Sequence, residues 1–332
     1  MSTAKTIKWG VIGTGWIANH FAEVFPKSDN CELIAVASKT PQHAHEFADK
    51  YGIPRVYASD EELASDPSID AVYIATPTSA HVPNILTSLG QGKHVLCEKT
   101  ITMNVEQLDK CIAEAERNNV ILAEGLTSIY EDVYPFMKKK ISSGEYGKVQ
   151  FVTVTCGSDK PYDATNRYFS PALGGGAIFD IGCYAIGFAN YFMSSYPTTV
   201  RSEGLICDTG VDVKSAYVLR NKEDELATVL IGLRGKTEKI GIISCEKAFV
   251  RIEQFIRGHK ATVTFPNGRT EVYDFPVTDL DAEVKALNSD IRAGRRTCSA
   301  CPIELSRSII SVLDTAREQW GYRFAFEEEK HD

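Results

Sequence analysis

Through the first 124 residues the apolar positions alternate between two spacings. Ile7 to Ile12 is a short apolar run that reads as a buried strand, and Ile17, Phe21, Val24 and Phe25 then return at helical spacing. Glu32 to Ser38 is a second strand, after which Thr40 caps and Pro41 opens a helix that runs through Tyr51 and stops at Gly52. A short strand follows at Arg55 to Tyr57. Asp70 to Thr76 and Lys93 to Cys97 are further strands, with helices at His81 to Leu89 and Val105 to Asn118 and a last strand at Val120 to Ala123. Strands alternating with helices of about 10 to 15 residues need right-handed crossovers, which predicts a doubly wound parallel sheet over residues 1–124.

The rhythm then changes. One helix is expected near Asp132 to Ile141 and one strand at Val149 to Cys156, followed by an irregular stretch up to Gly174-Gly175-Gly176. From Thr198 to Phe275 strand-like runs dominate, and Asn267-Gly268 between Ala261 to Phe265 and Arg269 to Phe275 is a hairpin signal. Helices at Leu280 to Ala293 and Ile303 to Trp320 close the chain. Residues 125–332 are therefore expected to form an α+β domain with a mainly antiparallel, open-faced sheet, its last helix packing back on the first domain.

Length agrees with two domains: 332 residues at roughly 150 each. With 43% hydrophobic and 24% charged residues the composition is neither fibrous nor disordered. A formal net charge of -8 leaves no broad basic field for nucleic acid or an anionic membrane. Runs such as Ala71 to Ala75 and Ala227 to Leu233 fall far short of the roughly 20 residues that span a bilayer, and no leader-like apolar stretch opens the chain, so a cytoplasmic protein is expected. Nine scattered cysteines suit a reducing compartment. Cys298 and Cys301 form a lone C-x-x-C with no second pair or histidine beside it, and it reads as a loop before a helix.

Chemistry enters at Gly13-Thr14-Gly15-Trp16-Ile17-Ala18, a G-x-G-x-x-A between the first strand and first helix. A tight turn, a bare backbone at Gly15 and a small residue at Ala18 are what a dinucleotide pyrophosphate requires at a helix N-terminus. This makes the first domain a Rossmann-type nucleotide domain. An acidic residue at the end of the second strand would hold a free ribose diol; Ser38-Lys39-Thr40 stands there instead, which suits a 2′-phosphate and favours NADP over NAD. Ligands of open parallel sheets bind beyond the carboxyl ends of the strands, where Thr76-Pro77-Thr78 and His81 follow one strand and Glu98-Lys99-Thr100 another. His81 caps its helix or contacts the nucleotide. Lys99 has the chemistry to polarise a carbonyl or steady an alkoxide. Asp180 and Tyr184, four residues apart after the triple glycine, share a helix face. No histidine or cysteine spacing suggests a metal.

These segments, in this order and spacing, resemble the glucose-fructose oxidoreductase and inositol dehydrogenase (Gfo/Idh/MocA) family over essentially the whole chain. The likeness is carried by G-T-G-W-I-A, A-T-P-x-x-x-H, H-V-L-C-E-K, G-G-G-A-x-x-D-I-G-x-Y and the tail Leu313 to Gln319. Tyr184, where inositol dehydrogenases have histidine, resembles the dihydrodiol dehydrogenase and D-xylose dehydrogenase branch, which mostly uses NADP. The resemblance implies Lys99 and Tyr184 as the catalytic pair with Asp180 in support, Tyr184 exchanging the hydroxyl proton and the Lys99 ammonium favouring its phenolate. It also implies that Arg167 contacts cofactor or substrate, or makes a surface salt bridge. The implied activity is hydride transfer between nicotinamide and a carbinol carbon of a sugar, polyol or trans-dihydrodiol, without a metal. A silent NADP-binding regulator and a nicotinamide-dependent glycosidase are the other roles the fold carries. Thr100 stands where the family has proline, so either the Lys99-Thr100 bond is cis or Lys99 is aimed differently. Apolar residues on both faces of the second sheet predict a symmetric dimer through it.

Overall fold

The computed structural model describes residues 5–328. Its first elements are β1 (Ile7–Ile12), α1 (Trp16–Val24), β2 (Cys31–Ala37), α2 (Pro41–Tyr51), β3 (Arg55–Tyr57), α3 (Asp60–Ser65), β4 (Ala71–Ile74), α4 (His81–Gly90), β5 (His94–Glu98), α5 (Val105–Asn118) and β6 (Leu122–Gly125). The strands form one parallel sheet in the order β3-β2-β1-β4-β5-β6. Strand order reverses between β1 and β4, which puts the ligand crevice at their carboxyl ends. Both faces of the central strands are covered, so β4 is buried throughout. Short α3 breaks no apolar period and was invisible to spacing; its sign was Ser59-x-x-Glu62, since Ser59 Oγ accepts from the Glu62 N–H and the Glu62 carboxylate accepts from the Ala58 N–H.

The chain continues through α6 (Val133–Ser142), β7 (Val149–Gly157), α7 (Cys183–Phe192), β8 (Thr199–Ile206), β9 (Asp212–Arg220), β10 (Leu226–Gly232), β11 (Ile240–Cys245), β12 (Phe249–Glu253), β13 (Lys260–Thr264), β14 (Thr270–Asp274), α8 (Leu280–Arg292) and α9 (Ile303–Trp320). Its eight-stranded sheet runs β14-β13-β12-β11-β7-β10-β9-β8, antiparallel except for β7 with β10. The Asn267-Gly268 hairpin joins β13 to β14, with Gly268 at φ +82°. One sheet face meets α7: the bare Gly241 backbone admits the Phe188 ring, which a Cβ there would overlap at 2.2 Å. The segment Pro171–Phe192 is long and apolar enough to cross a membrane, with a mean hydropathy of 1.4, and 72% of that window is buried in the fold. Its apolarity is that of a core helix.

The compact units differ from a single cut at residue 124. Unit one is the chain through Tyr130 plus Asp279–Glu304, and unit two is Glu131–Thr278 with the chain from Leu305 onward. The helix that rejoins the parallel sheet is thus α8, and the long helix α9 expected there belongs almost wholly to the second unit. The cause is polar as much as apolar: Asn288 in α8 accepts from Trp9 Nε1 at 3.0 Å and donates to Asp29 at 2.8 Å, and Arg292 donates to the carbonyl of Asn30 at 2.9 Å.

Candidate active site

Within unit one the glycine turn is tied to the sheet on both sides. The Gly13 N–H donates to Ala37 O and the Ala75 N–H to Ile12 O, each at 2.9 Å. Gly13 has φ +103°, and a Cβ there would lie 2.7 Å from Ala75 O, so any side chain would be doubly penalised. Gly15 is the opposite case: a Cβ would meet nothing within 4 Å. It is the N-cap of α1, whose first turn has no side-chain cap and no acid. A helix start with no side-chain cap, beside a glycine with open space around it, is a fit for a dinucleotide pyrophosphate. Ile17 is half-buried behind the turn, and Trp16 stands 78% exposed at its mouth. Thr14 and Ser38 share a hydrogen bond between their hydroxyls at 3.3 Å, and Lys39 beside them is exposed. No carboxylate stands at Ser38-Lys39-Thr40. At the end of β4, Thr76 Oγ1 accepts from Asn84, Pro77 is exposed and Thr78 half-buried.

Two residues expected at the cofactor prove to face inward. His81 is 1% exposed, with Nδ1 3.0 Å from Thr100 O and Nε2 2.9 Å from Thr76 O. Both ring nitrogens face backbone carbonyls of the fold, and burial pulls its pKa below the ordinary histidine value despite those carbonyls. Glu98 is 7% exposed; Tyr73 donates to one carboxylate oxygen and the Lys99 N–H to the other. The Lys99-Thr100 bond is cis. Lys99 itself is half-buried at the sheet's carboxyl edge, the position its strand predicted.

In unit two, the triple glycine serves the protein's own packing. A Cβ on Gly175 would lie 2.6 Å from Arg167 O, and one on Gly176 would lie 2.5 Å from Asp212 Oδ1. The loop thereby seats Asp212, 0% exposed, on the N–H of Ile178, which it accepts with both oxygens at 3.1 Å. Burial pushes Asp212 up to about 7, outweighing the hydrogen bonds from Ile178 and Ser215. From that anchor runs a π turn, Ile178–Gly182, and then α7, carrying Asp180 and Tyr184, both half-buried. π turns gather at functional positions.

Asp180 lies 3.7 Å from Lys160 Nζ, and that ammonium sits 3.5 Å from the Tyr168 ring centroid. Burial raises the Tyr168 phenol, but the Lys160 hydrogen bond and the positive charges of Arg167 and Lys160 bring it net below the ordinary tyrosine value. Arg167 is exposed, its guanidinium 4.2 Å from the same ring. Lys160 and Tyr168 fall in the stretch without apolar period, so nothing in the pattern singled them out. Among the described residues no group of three His, Cys, Asp or Glu is arranged to hold a metal ion, and Cys298 and Cys301 are buried.

A parallel sheet with a bare glycine turn at its switch point defines a dinucleotide-binding protein. Residues 7–126 match the oxidoreductase family with an NAD-binding Rossmann fold, and residues 134–264 match the GFO/IDH/MocA C-terminal domain. The chain belongs to the Gfo/Idh/MocA family and is an NAD(P)-dependent dehydrogenase acting on CH–OH donors. It is 30% identical to a trans-1,2-dihydrobenzene-1,2-diol dehydrogenase of Xenopus laevis, over 96% of this chain and 99% of that one. It is 27% identical to a scyllo-inositol 2-dehydrogenase (NADP(+)) of Bacillus subtilis strain 168, over 95% and 97%. The fold is also that of an aldose-aldose oxidoreductase from Caulobacter crescentus crystallised with glycerol, at 23% identity and a TM-score of 0.86 over 95% of this chain and 98% of that one.

Proposed function

We propose that the protein is an NADP-dependent dehydrogenase of a sugar, polyol or trans-dihydrodiol. The observation that carries the choice of nucleotide is the end of β2, where Ser38, exposed Lys39 and Thr40 stand and no carboxylate repels a 2′-phosphate. The substrate class is supported by what the curated relatives are named for. When bound, the nicotinamide accepts or returns the hydride of a carbinol carbon. Gly13, Gly15 and the α1 N-terminus would hold the dinucleotide's pyrophosphate, with Thr14, Trp16 and Ile17 around them, and Thr76, Pro77 and Thr78 would border the crevice. The Tyr184 phenol exchanges the substrate's hydroxyl proton, the Lys99 ammonium supplies positive charge at the carboxyl edge of the first sheet, and Asp180 orders the polar groups of the second unit.

A panel of pentoses, hexoses, inositols and dihydrodiols, followed at the reduced nicotinamide band, tests the reading. Stoichiometric NADPH from at least one of these substrates is expected, and no net reduction with any of them overturns it. Lys39→Glu should raise the KM for NADP about 10- to 100-fold, the worth of a hydrogen bond to a charged group, and leave that for NAD nearly unchanged. A wild-type preference for NAD would defeat the nucleotide assignment.

The partner expected at the second sheet is a second copy of the chain. Its uncovered face exposes Phe151 (55%), Val218 (48%), Leu230 (47%) and Phe249 (40%), all at positions that alternate with buried ones along β7, β9, β10 and β12. Exposed apolar side chains clustered on one sheet face call for cover, and a face set on a two-fold axis covers itself. Sedimentation at micromolar concentration should give a dimer that Leu230→Glu dissociates; a wild-type monomer would refute this.

A further inference from the structure

Lys99 leaves the sheet from a turn whose backbone is gripped from two sides. On one side is the His81 ring at the start of α4. Nδ1 faces Thr100 O at 3.0 Å and Ile101 O at 3.3 Å, while Nε2 faces Thr76 O at 2.9 Å. Carbonyl oxygens only accept and a neutral imidazole has one N–H, so the ring donates to one of the two segments, after β4 or after β5, and packs its other nitrogen against the second. On the other side is Glu124, 1% exposed, paired with Cys97 across β5 and β6, whose carboxylate accepts the Ile101 N–H at 2.9 Å. Thr100 and Ile101 are 0% exposed, so Lys99 is the member of the turn that reaches outward. Its point of departure is thereby set by two side chains buried in the fold.

We propose that His81 and Glu124 are positioning residues for Lys99, acting through the backbone of the Lys99–Ile101 turn. The inference rests on the reading of Lys99 as a working residue of the dehydrogenase, and its physical content is distance: a misplacement of about 1 Å far from the chemistry costs about 10²-fold in rate. Glu124→Leu removes the acceptor, Glu124→Gln keeps one, and His81→Leu removes both ring contacts at similar volume.

The experiment is a double-mutant cycle with Lys99→Met. His81→Leu and Glu124→Leu are each expected to lower kcat about 10- to 100-fold with the NADPH dissociation constant within about threefold of wild type, and Glu124→Gln to recover most of the loss. In the Lys99→Met background the same substitutions should lower kcat no further. Hydrogen exchange at the Ile101 amide, read without cofactor or substrate, should quicken at least about tenfold in Glu124→Leu and not in Glu124→Gln. Additive losses in the two backgrounds would show a merely structural role and overturn the proposal. So would wild-type kcat in a folded His81→Leu or Glu124→Leu protein while Lys99→Met is impaired. Full turnover in Lys99→Met would instead remove the underlying reading, and the positioning role with it.

Discussion

Tyr184→Phe is expected to lower kcat by about 10² to 10⁴, the range for loss of a general acid or base, while the NADPH dissociation constant and the thermal midpoint stay near wild type. The ring would remain half-buried where α7 leaves the π turn, and only the hydroxyl would go. A competing phenol makes the test sharper. Tyr168 in the same unit lies against Lys160, and Lys160 against Asp180, so an ammonium and a carboxylate already attend a different tyrosine. Tyr168→Phe should cost less than about tenfold, as the loss of a polar contact and not of the proton carrier. If the two results are exchanged, the proton passes through Tyr168 and the assignment of Tyr184 falls.

That competing pair also marks where the sequence stops being informative. The parallel sheet was legible because β1, β4 and β5 are buried and separated by helices of ordinary period, and the glycine turn because its position between strand and helix restricts what Gly13 and Gly15 can be doing. The hairpin at Asn267-Gly268 was legible for the same kind of reason, a turn that requires positive φ. Tertiary reuse of residues was not. Spacing places His81 at a helix start and Glu98 at a strand end, both facing a ligand crevice; it contains nothing about Thr100 O or Tyr73, which claim those side chains from within the fold. Glu124 stands one residue before the end of β6, opposite Cys97, and no spacing rule singles it out. The triple glycine reads as room for a ligand, whereas the atoms it admits are Asp212 Oδ1 and the carbonyls of Arg167 and Ser170. The return of α8 to the first unit depends on Asn288 and Arg292, polar partners more than 250 residues from Asp29 in the chain, which no local window contains.

The second large effect is on stability and runs through Asp212. Its carboxyl is held at about 7 in the folded chain against an ordinary value near 3.8, because burial penalises the charge more than the Ile178 and Ser215 hydrogen bonds favour it. The folded state therefore binds a proton more tightly than the unfolded chain does. The stability that proton contributes is fully present below about pH 4 and is lost as pH rises through about 7, at about 1.4 kcal/mol per pH unit, so of order 2 kcal/mol disappears between pH 5.5 and 8.5. Asp212→Asn keeps an acceptor for the Ile178 N–H and cannot ionise, so its urea midpoint should lack this decline. His94, which burial holds near 4, acts alike in both proteins and cancels from the difference. Asp212→Ala, by contrast, orphans the Ile178 N–H and should cost about 1 to 3 kcal/mol at every pH. Because the same N–H opens the π turn that leads to Asp180 and Tyr184, that variant should lose kcat even where it remains folded. Wild type and Asp212→Asn falling in parallel with pH would show that Asp212 stays ionised in the fold, and that charge, not a proton, secures the start of that helix.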